Sequence, residues 1–519
     1  MSRNFDAIVI GSGLGGLTAG ALTAHAGRRV LVLDRNFNFG GAATVYQHGA
    51  LSIEASLHET TNPHDPNDPN HALFQMLGLL EKIEFVPVGN FYEVRSYLLK
   101  TPFVLPHDFH VARQALLSRF PDHKKALAKL FYRFNAVNRT MEMFSQSHHF
   151  LWWLIHAPTM PFIVWPVLRD LKKSLADIFQ ELFGDDEAIK IALAANLAYY
   201  TDDPEQMWWI FYAVAQGGFL SGGGHYIRGG SQVLSDCLVK AIEDNGGIAE
   251  SGRVVTRILL DEQGEISGVE HEDVNGDNAQ TDHARIVFGN AAPHVLAEAL
   301  PTEVRQAFIR EYADIPLSLS LFTISLGLAS PPSYFGVSNY STFIFPEWIK
   351  SLMDYKYNAA LLSEPPADRL PLLTLVDYSG VNSGLNNQAP FLLTVVGLDQ
   401  LSNWQDLSQE EYQHKRDLWL EAIIQRLEEE YPGIASAITQ KEMSTAKTMH
   451  QYLNTPGGAI YGFAPIPPKQ LFFKKSLRTP KTNIIGLWLA SAYAGGGGFS
   501  GAMASGAIAA RMAMSTMKK

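Results

Sequence analysis

The amino-terminal stretch constrains this chain more than any other part of it. Residues 5–10 are mostly apolar, Gly11-Ser12-Gly13-Leu14-Gly15-Gly16 follows at once, and small apolar residues then recur at helical spacing. A second apolar run, Val30-Leu31-Val32-Leu33, ends on Asp34. Strand, glycine turn, helix, strand and acid, in that order, predict a dinucleotide-binding βαβ unit. Gly11 lets the chain leave the strand in a tight turn. Gly13 lets backbone approach a diphosphate, and Gly16 lets the helix lie close to the strand. Gly15 stands in the same turn. The free N–H groups and positive end of the helix face the phosphates. Asp34 follows Gly11 by 23 residues, near the roughly 20 expected of an acid that accepts ribose hydroxyls. A carboxylate there repels a 2′-phosphate, so FAD or NAD is expected rather than NADP.

A chain of 519 residues is long enough for two sizeable cores. Hydrophobic residues make up 46% and charged residues 18%, which fits a globular protein with large buried or lipid-facing surfaces. The net charge of −11 argues against general nucleic-acid binding. The single cysteine, Cys237, excludes an internal disulfide and any cysteine-cluster metal site. It shares a helical face with Val233, Leu234, Leu238, Ala241 and Ile242, so it is expected in the core. The first apolar run reads as a strand rather than a cleavable signal. His148 and His149 are adjacent, a poor spacing for two ligands on one helix face, and no metal site is expected.

Further along, Gly40-Gly41 would let backbone pass close to the far end of the same ligand, which puts FAD ahead of NAD. Residues 91–175 carry twelve Lys and Arg against five Asp and Glu. Within them, residues 150–168 are rich in Trp and aliphatic side chains and nearly long enough to span a bilayer. Pro158, Pro161, Pro166 and His156 argue against a clean span. Flanked by Arg133, Arg139, Arg169, Lys172 and Lys173, the stretch with Trp152, Trp153 and Trp165 suits a surface that dips into a membrane. The other reading is a buried helical cap over an apolar pocket.

After helices over 174–220, with a break at residues 199–204, Gly229-Gly230 precedes a helix from Ser231 to about Glu243. Strands over 253–260 and 285–289 return the chain to the nucleotide domain. Strand-like runs at 317–328, 372–376 and 391–396 mix with an acidic helix at 412–431. Residues 483–490 then form a buried strand feeding a second glycine turn, 495–498, and a small-residue helix over 502–512. Such a turn presents N–H donors to another part of the ligand, and in a flavin site that part is the ring.

The fold class expected is α/β. A discontinuous Rossmann-like FAD-binding domain takes residues 1–70, 221–299 and 455–519. A mixed α+β substrate domain takes residues 71–220 and 300–454 and carries the helical, membrane-docking cap.

At this point the residues resemble a family. The blocks 8–41, Gly229-Gly230 through Val255, Phe288-Gly289-Asn290-Ala291-Ala292-Pro293, and 486–506 are similar to the carotenoid-type flavoproteins: phytoene desaturases, carotenoid isomerases and retinol saturases, relatives of the amine oxidases. The resemblance implies FAD, with its diphosphate at Gly11, Gly13 and Gly16 and its ribose at Asp34, with Arg35 beside it. It places Gly40 and Gly41 along the ligand, the Val255 backbone at the adenine, and the turn with Gly497 and Gly498 at the flavin. Asn290, Ala291 and Ser491 are further cofactor positions. The family's ribose acid is usually Glu, and here it is Asp34. An Asp often follows the family's last strand, where this chain has Ser491, Ala492 and Tyr493.

The function expected is FAD-dependent oxidoreduction or isomerisation at carbon–carbon double bonds of a long apolar lipid: a carotenoid, a retinoid or an unsaturated fatty acid. The alternative is an amine-oxidase-like flavoenzyme on a polar substrate. Polyene chemistry needs little acid–base help, and no catalytic triad is legible. His58, His225, Tyr226 and Tyr461 fall near predicted flavin-facing segments and are the candidate catalytic side chains. No second strand–GxGxxG–helix unit follows, so electrons are expected to pass to or from a transient donor, a quinone or oxygen. The expected location is cytoplasmic, peripheral to a membrane.

Overall fold

The computed structural model describes residues 3–145, 158–468 and 478–517. Trp152, Trp153 and the His148-His149 pair lie outside the described residues.

The opening motif folds as β1 (Ala7–Ile10), α1 (Leu14–His25) and β2 (Val30–Leu33). Later segments add α2 (Ser231–Asp244), β3 (Ile248–Glu250), β4 (Ile286–Gly289), β5 (Leu487–Leu489) and α3 (Gly498–Met517). The five strands make one parallel sheet in the order β3-β2-β1-β4-β5. All four residues of β2 and of β4 are buried, as expected of a parallel sheet covered on both faces. The strand order reverses at β1, so the crevice for a dinucleotide opens at its carboxyl end, at Gly11.

The composition of α1 follows from where it lies. Its residues from Leu14 through Ala24 are all buried, because the helix is enclosed by the sheet, by α2 and by α3. Only small side chains let three neighbours approach so closely. A Cβ on Gly506 of α3 would overlap the Gly15 carbonyl and sit 3.0 Å from its Cα. The C-terminal helix runs Gly498–Met517, longer at both ends than the 502–512 expected, because the turn glycines continue directly into it.

Beside the nucleotide sheet lies a four-stranded sheet of Arg3–Asn4, Gln280–His283, Ile266–Asp273 and Arg253–Leu260, in that order. The hairpin expected from the turn residues is present, with a register shift between Val255 and Arg257. Arg3 pins the chain start here, bonding Asp282 at 2.6 Å and Glu250 at 2.5 Å.

A seven-stranded sheet forms the second layer. Its order is Ile438–Ser444, Ser320–Leu328, Phe391–Asp399, Leu373–Asp377, Ser341–Ile344, Tyr92–Arg95 and Phe103–Leu105. The strands pair antiparallel except Tyr92–Arg95 with Ser341–Ile344. The acidic helix Gln409–Glu430 packs its Trp419, Ile423 and Leu427 against it. Helices Phe109–Arg119, Lys124–Ser145, Leu175–Phe183 and Trp209–Gly222 form a second apolar core over the other end of this sheet.

The helix Met160–Asp170 lies on that helical group and leaves Phe162 (80%), Trp165 (65%) and Leu168 (50%) exposed. Among the described residues no helix is long and apolar enough to cross a membrane. Cys237 is half-buried in α2 against the main core, and burial pushes its thiol up.

Candidate active site

The carboxyl end of β1 is where the glycine turns meet. The Gly11 N–H donates to the Leu33 carbonyl at 2.8 Å, and Gly11 holds φ +92°, a conformation that favours glycine. Gly40 N–H donates to the Ser12 carbonyl at 3.1 Å, and Gly13 and Gly40 form an isolated parallel bridge. A Cβ on Gly41 would sit 3.3 Å from the Gly13 Cα. The first and second glycine pairs therefore form one backbone cradle.

Asn290, at the end of β4, holds this cradle to the last strand. Its Oδ1 accepts from the Gly13 N–H at 2.8 Å, and its Nδ2 donates to the Ala490 carbonyl at 2.6 Å. Ala291 follows it, with its N 3.7 Å from where a Cβ on Gly11 would be. Among the described residues, the N–H groups of Leu14, Gly15 and Gly16 at the start of α1 have no protein acceptor, so the positive end of the helix is available to an anion.

Asp34 lies at the end of β2 with a fully directed carboxylate. Oδ2 accepts from the Ser12 N–H and hydroxyl, each at 2.6 Å, and Oδ1 accepts from the Asn36 N–H at 2.7 Å. Ser12 thus takes part in orienting the acid, a role its place between two glycines did not announce. An ionised carboxylate has about four acceptor positions, so Oδ1 keeps room for a ribose hydroxyl. Arg35 turns away across the cleft: its guanidinium donates to the Gln451 and Tyr452 carbonyls. Val255 lies two residues beyond Arg253, whose N–H donates to the Asp34 carbonyl at 2.7 Å.

At the far end of the cleft, the second glycine turn packs on Tyr461. A Cβ on Gly497 would sit 2.7 Å from the Tyr461 Cβ, and Gly498 has φ +74°. Tyr461 is half-buried, and removal from water pushes its phenol up to about 12. The Ser491 hydroxyl, just after β5, is buried and has no protein partner among the described residues. A cradle without side chains, unpaired helix amides, a directed acid and an unpaired buried hydroxyl all fit a flavin dinucleotide.

Residues 6–83 match the model of the FAD binding domain family. This chain is an FAD-dependent oxidoreductase. It is 26% identical to a chloroplastic prolycopene isomerase of Daucus carota, over 90% of this chain and 72% of that one. It is 24% identical to an all-trans-retinol 13,14-reductase of Danio rerio, over 89% of this chain and 78% of that one. In fold it is similar to an oxidoreductase from Methanosarcina mazei, with a TM-score of 0.61 and 16% identity over 99% of this chain and 100% of that one. It is also similar to the cyclohexylamine oxidase of Brevibacterium oxydans, with a TM-score of 0.58 and 17% identity over 99% and 100%. The resemblance to carotenoid-type flavoproteins and the α/β fold class are therefore borne out.

The candidate catalytic side chains divide. His58 lies in a buried polar cluster: its Nε2 is 2.7 Å from the Tyr199 hydroxyl and 3.1 Å from the Ser341 hydroxyl, and Tyr340 donates to its carbonyl. Burial holds the His58 imidazole down to about 3, so it is neutral across the physiological range. Its neighbours reach the glycine turn through rings: Tyr199 meets Tyr200 at 6.4 Å, and Tyr200 meets Phe211 at 6.0 Å. Phe211 in turn lies 3.7 Å from where a Cβ on Gly496 would be.

His225 pairs instead with Thr60 in an isolated bridge, and burial pushes its imidazole down. Tyr226 donates to Glu54 at 2.9 Å and belongs to a packing node. Sequence reasoning missed Glu59, which follows His58. Its buried carboxyl lies 3.3 Å from His107 Nε2 in an ion-pair contact without hydrogen-bond geometry. Burial pushes the Glu59 carboxyl up, and His107 partly offsets that.

One prediction arises directly. The folded protein holds His58 neutral, whereas its unfolded form takes a proton below the usual 6.5. Its contribution is complete above pH 6.5 and is drawn down as pH falls toward 3. At pH 5 the loss is about 2 kcal/mol relative to pH 8. Urea titrations at both pH values should show that His58→Asn removes this part of the acid sensitivity.

Proposed function

We propose that this chain uses FAD to act on a carbon–carbon double bond of a long apolar lipid, by desaturation, saturation or isomerisation. What carries this reading is that its curated relatives match over about nine-tenths of the chain and are named for prolycopene and all-trans-retinol. The likeness to amine oxidases rests on fold, at 13–17% identity, so an amine substrate is the second reading.

On this proposal residues 1–70, 221–299 and 455–519 form the FAD domain, and residues 71–220 and 300–454 form the substrate domain. Gly11, Gly13, Gly15 and Gly16 would carry the diphosphate and Asp34 the ribose, with Arg35 fixing the cleft wall. Gly40, Gly41, Asn290 and Ala291 would line the ligand's path, with Val255 beside the adenine. Ser491, Gly497 and Gly498 would meet the flavin end. Bound FAD supplies reversible hydride or single-electron transfer. The protein's part is to hold the lipid against the glycine turn and to keep water out. The neutral His58, Tyr199 and Ser341 form a hydrogen-bonded wall that adds no charge beside a polyene.

The test is anaerobic reduction and reoxidation of the bound flavin against polyenes, retinoids, unsaturated fatty acids and amines. A response to amines alone replaces this reading with the second one.

We further propose that the helix Met160–Asp170 docks on a membrane surface from the cytoplasmic side. Phe162, Trp165 and Leu168 recur three residues apart on one exposed face, with Arg169, Lys172 and Lys173 close by. Replacing all three apolar residues with Ser should cut pelleting with anionic liposomes by about a hundredfold, at roughly 1 kcal/mol for each partly buried side chain. Unchanged pelleting removes the docking proposal.

A further inference from the structure

Glu54 and Glu59 are close in sequence, and both carboxyls are buried, but only one of them is used by the fold. Glu54 accepts hydrogen bonds from Ser56, Leu57, Ser231 and Tyr226. The Glu59 side chain is 2% exposed, and among the described residues neither of its oxygens accepts a hydrogen bond. It meets His107 Nε2 at 3.3 Å, and that nitrogen is also buried without a hydrogen-bond partner. The other His107 nitrogen, Nδ1, lies 2.8 Å from the Gly89 carbonyl. A carbonyl only accepts, so Nδ1 carries its hydrogen and Nε2 is the ring atom free to take or give a proton. A bare carboxylate at this depth is costly, so one proton rests on the pair.

Two glycines make room for it. A Cβ on Gly224 would overlap both Glu59 Oε2 and His107 Nε2. A Cβ on Gly223 would lie 3.7 Å from His225 Cε1 and 3.9 Å from His107 Cβ, so residue 223 puts no side chain between the two imidazoles. His225 Nδ1 is buried and has no protein partner among the described residues. Its imidazole feels the charges of His64 and Asp68, and His64 is exposed. Glu59, His107, His225 and the loop of His64 and Asp68 are therefore a series of titratable groups running from the interior to solvent.

The inner end of this series lies on the side of the C-terminal glycine turn. The Tyr199 and Tyr200 phenols each feel both Glu59 and Tyr461, and Tyr461 packs on Gly497. Burial pushes these two phenols, and those of Tyr92 and Tyr340 near Glu59, well above their ordinary range. The carboxyl and the imidazoles are thus the groups here that exchange protons.

We propose that Glu59 supplies the proton for hydrogen transfer at the lipid double bond and is recharged from solvent through His225 and His107. The inference rests on the double-bond reading above and adds the group that supplies the proton. In saturation, one alkene carbon takes a hydride from the reduced cofactor and the other takes the Glu59 proton. The π bond breaks, two C–H bonds form, the cofactor is oxidised and Glu59 is left as a carboxylate. A proton from His107 Nε2 then restores the carboxyl. Desaturation runs the same exchange backwards.

The first test needs no lipid. The infrared spectrum of the flavin-loaded protein should contain a C=O stretch of a protonated carboxyl that shifts in D2O and is lost in Glu59→Gln. His225→Phe should slow that deuterium shift at least about tenfold. A spectrum unchanged in Glu59→Gln, or a shift unchanged in His225→Phe, overturns the proposal.

The second test reduces the flavin with dithionite and mixes the protein, without oxygen, with all-trans-retinol, prolycopene or an unsaturated fatty acid. Glu59→Gln should retain its flavin and reoxidise about a hundredfold more slowly than wild type. With dithionite in excess, His225→Phe should slow its later turnovers at least about tenfold relative to its first, because the stored proton is spent once and returns slowly. Packing alone would not separate first from later turnovers, so this reading stands even if Glu59→Gln fails to fold. Wild-type reoxidation in Glu59→Gln, or isomerised lipid without flavin reoxidation, overturns the proposal and leaves the double-bond reading standing. A wild-type protein that leaves all three lipids unchanged overturns both.

Discussion

Gly16→Val is expected to yield a protein that retains no flavin. The new side chain would overlap the Gly11 carbonyl oxygen and bring its Cβ to 2.8 Å from the Asn290 Cβ. Neither neighbour can give way cheaply. Gly11 is fixed by its bond to Leu33, and Asn290 holds both the Gly13 N–H and the Ala490 carbonyl. The helix α1 must then tilt away from β1, and the unpaired amides of Leu14, Gly15 and Gly16 leave the position that faces a diphosphate. The measurement is the ratio of flavin to protein absorbance after gel filtration, which should fall from near one flavin per chain to the background of a non-flavoprotein. Asn290→Ala is the milder companion. It leaves one buried donor and one buried acceptor unpaired, about 1–3 kcal/mol each, and should weaken flavin retention without abolishing it. Full flavin content in Gly16→Val would overturn the assignment of the diphosphate to this turn.

Glu54→Leu should have the largest effect on stability, about 3–5 kcal/mol. Glu54 is buried and accepts five hydrogen bonds. Oε1 takes the Ser231 hydroxyl at 2.6 Å, the Leu57 N–H at 3.0 Å and the Ser56 N–H at 3.3 Å. Oε2 takes the Ser231 N–H at 2.8 Å and the Tyr226 hydroxyl at 2.9 Å. One carboxyl therefore ties the chain after the strand Leu51–Glu54 to the first turn of α2, some 177 residues away. Leucine leaves those donors buried and unpaired. Glu54→Gln keeps most of the acceptor geometry and should cost less than half as much. Denaturant midpoints of the two variants measure the difference, and equal midpoints would deny the node its role. The Glu54 carboxyl itself is pushed up by burial, with the bonds from Ser231, Leu57 and Ser56 acting against that shift.

Several features of the fold could be read because their signals are local. The glycine turn, the acid closing β2 and the period of α2 each occupy a few consecutive residues whose spacing is fixed by backbone geometry. Tyr226 was expected near a flavin-facing segment, and the partner that binds it, Glu54, could not be inferred from its neighbours in sequence. Arg35 was expected beside the ribose acid and instead reaches the carbonyls of residues 451 and 452. No local pattern signals a contact over that separation. Nothing in the place of Ser12 between two glycines announces that its hydroxyl donates to Asp34.

The sequence alone determined that this chain binds a dinucleotide at its amino end and that later segments return to the same sheet. Turn chemistry and hydrophobic period act over distances of one or two turns of chain, and those are written in order along it. Tertiary structure decided which side chains meet beside the glycine turns: His58 against Tyr199 and Ser341, and Glu59 against His107. Those encounters join segments tens to hundreds of residues apart. Which of them meet is set by how whole sheets and helices pack, and that choice has no footprint in the spacing of any one segment.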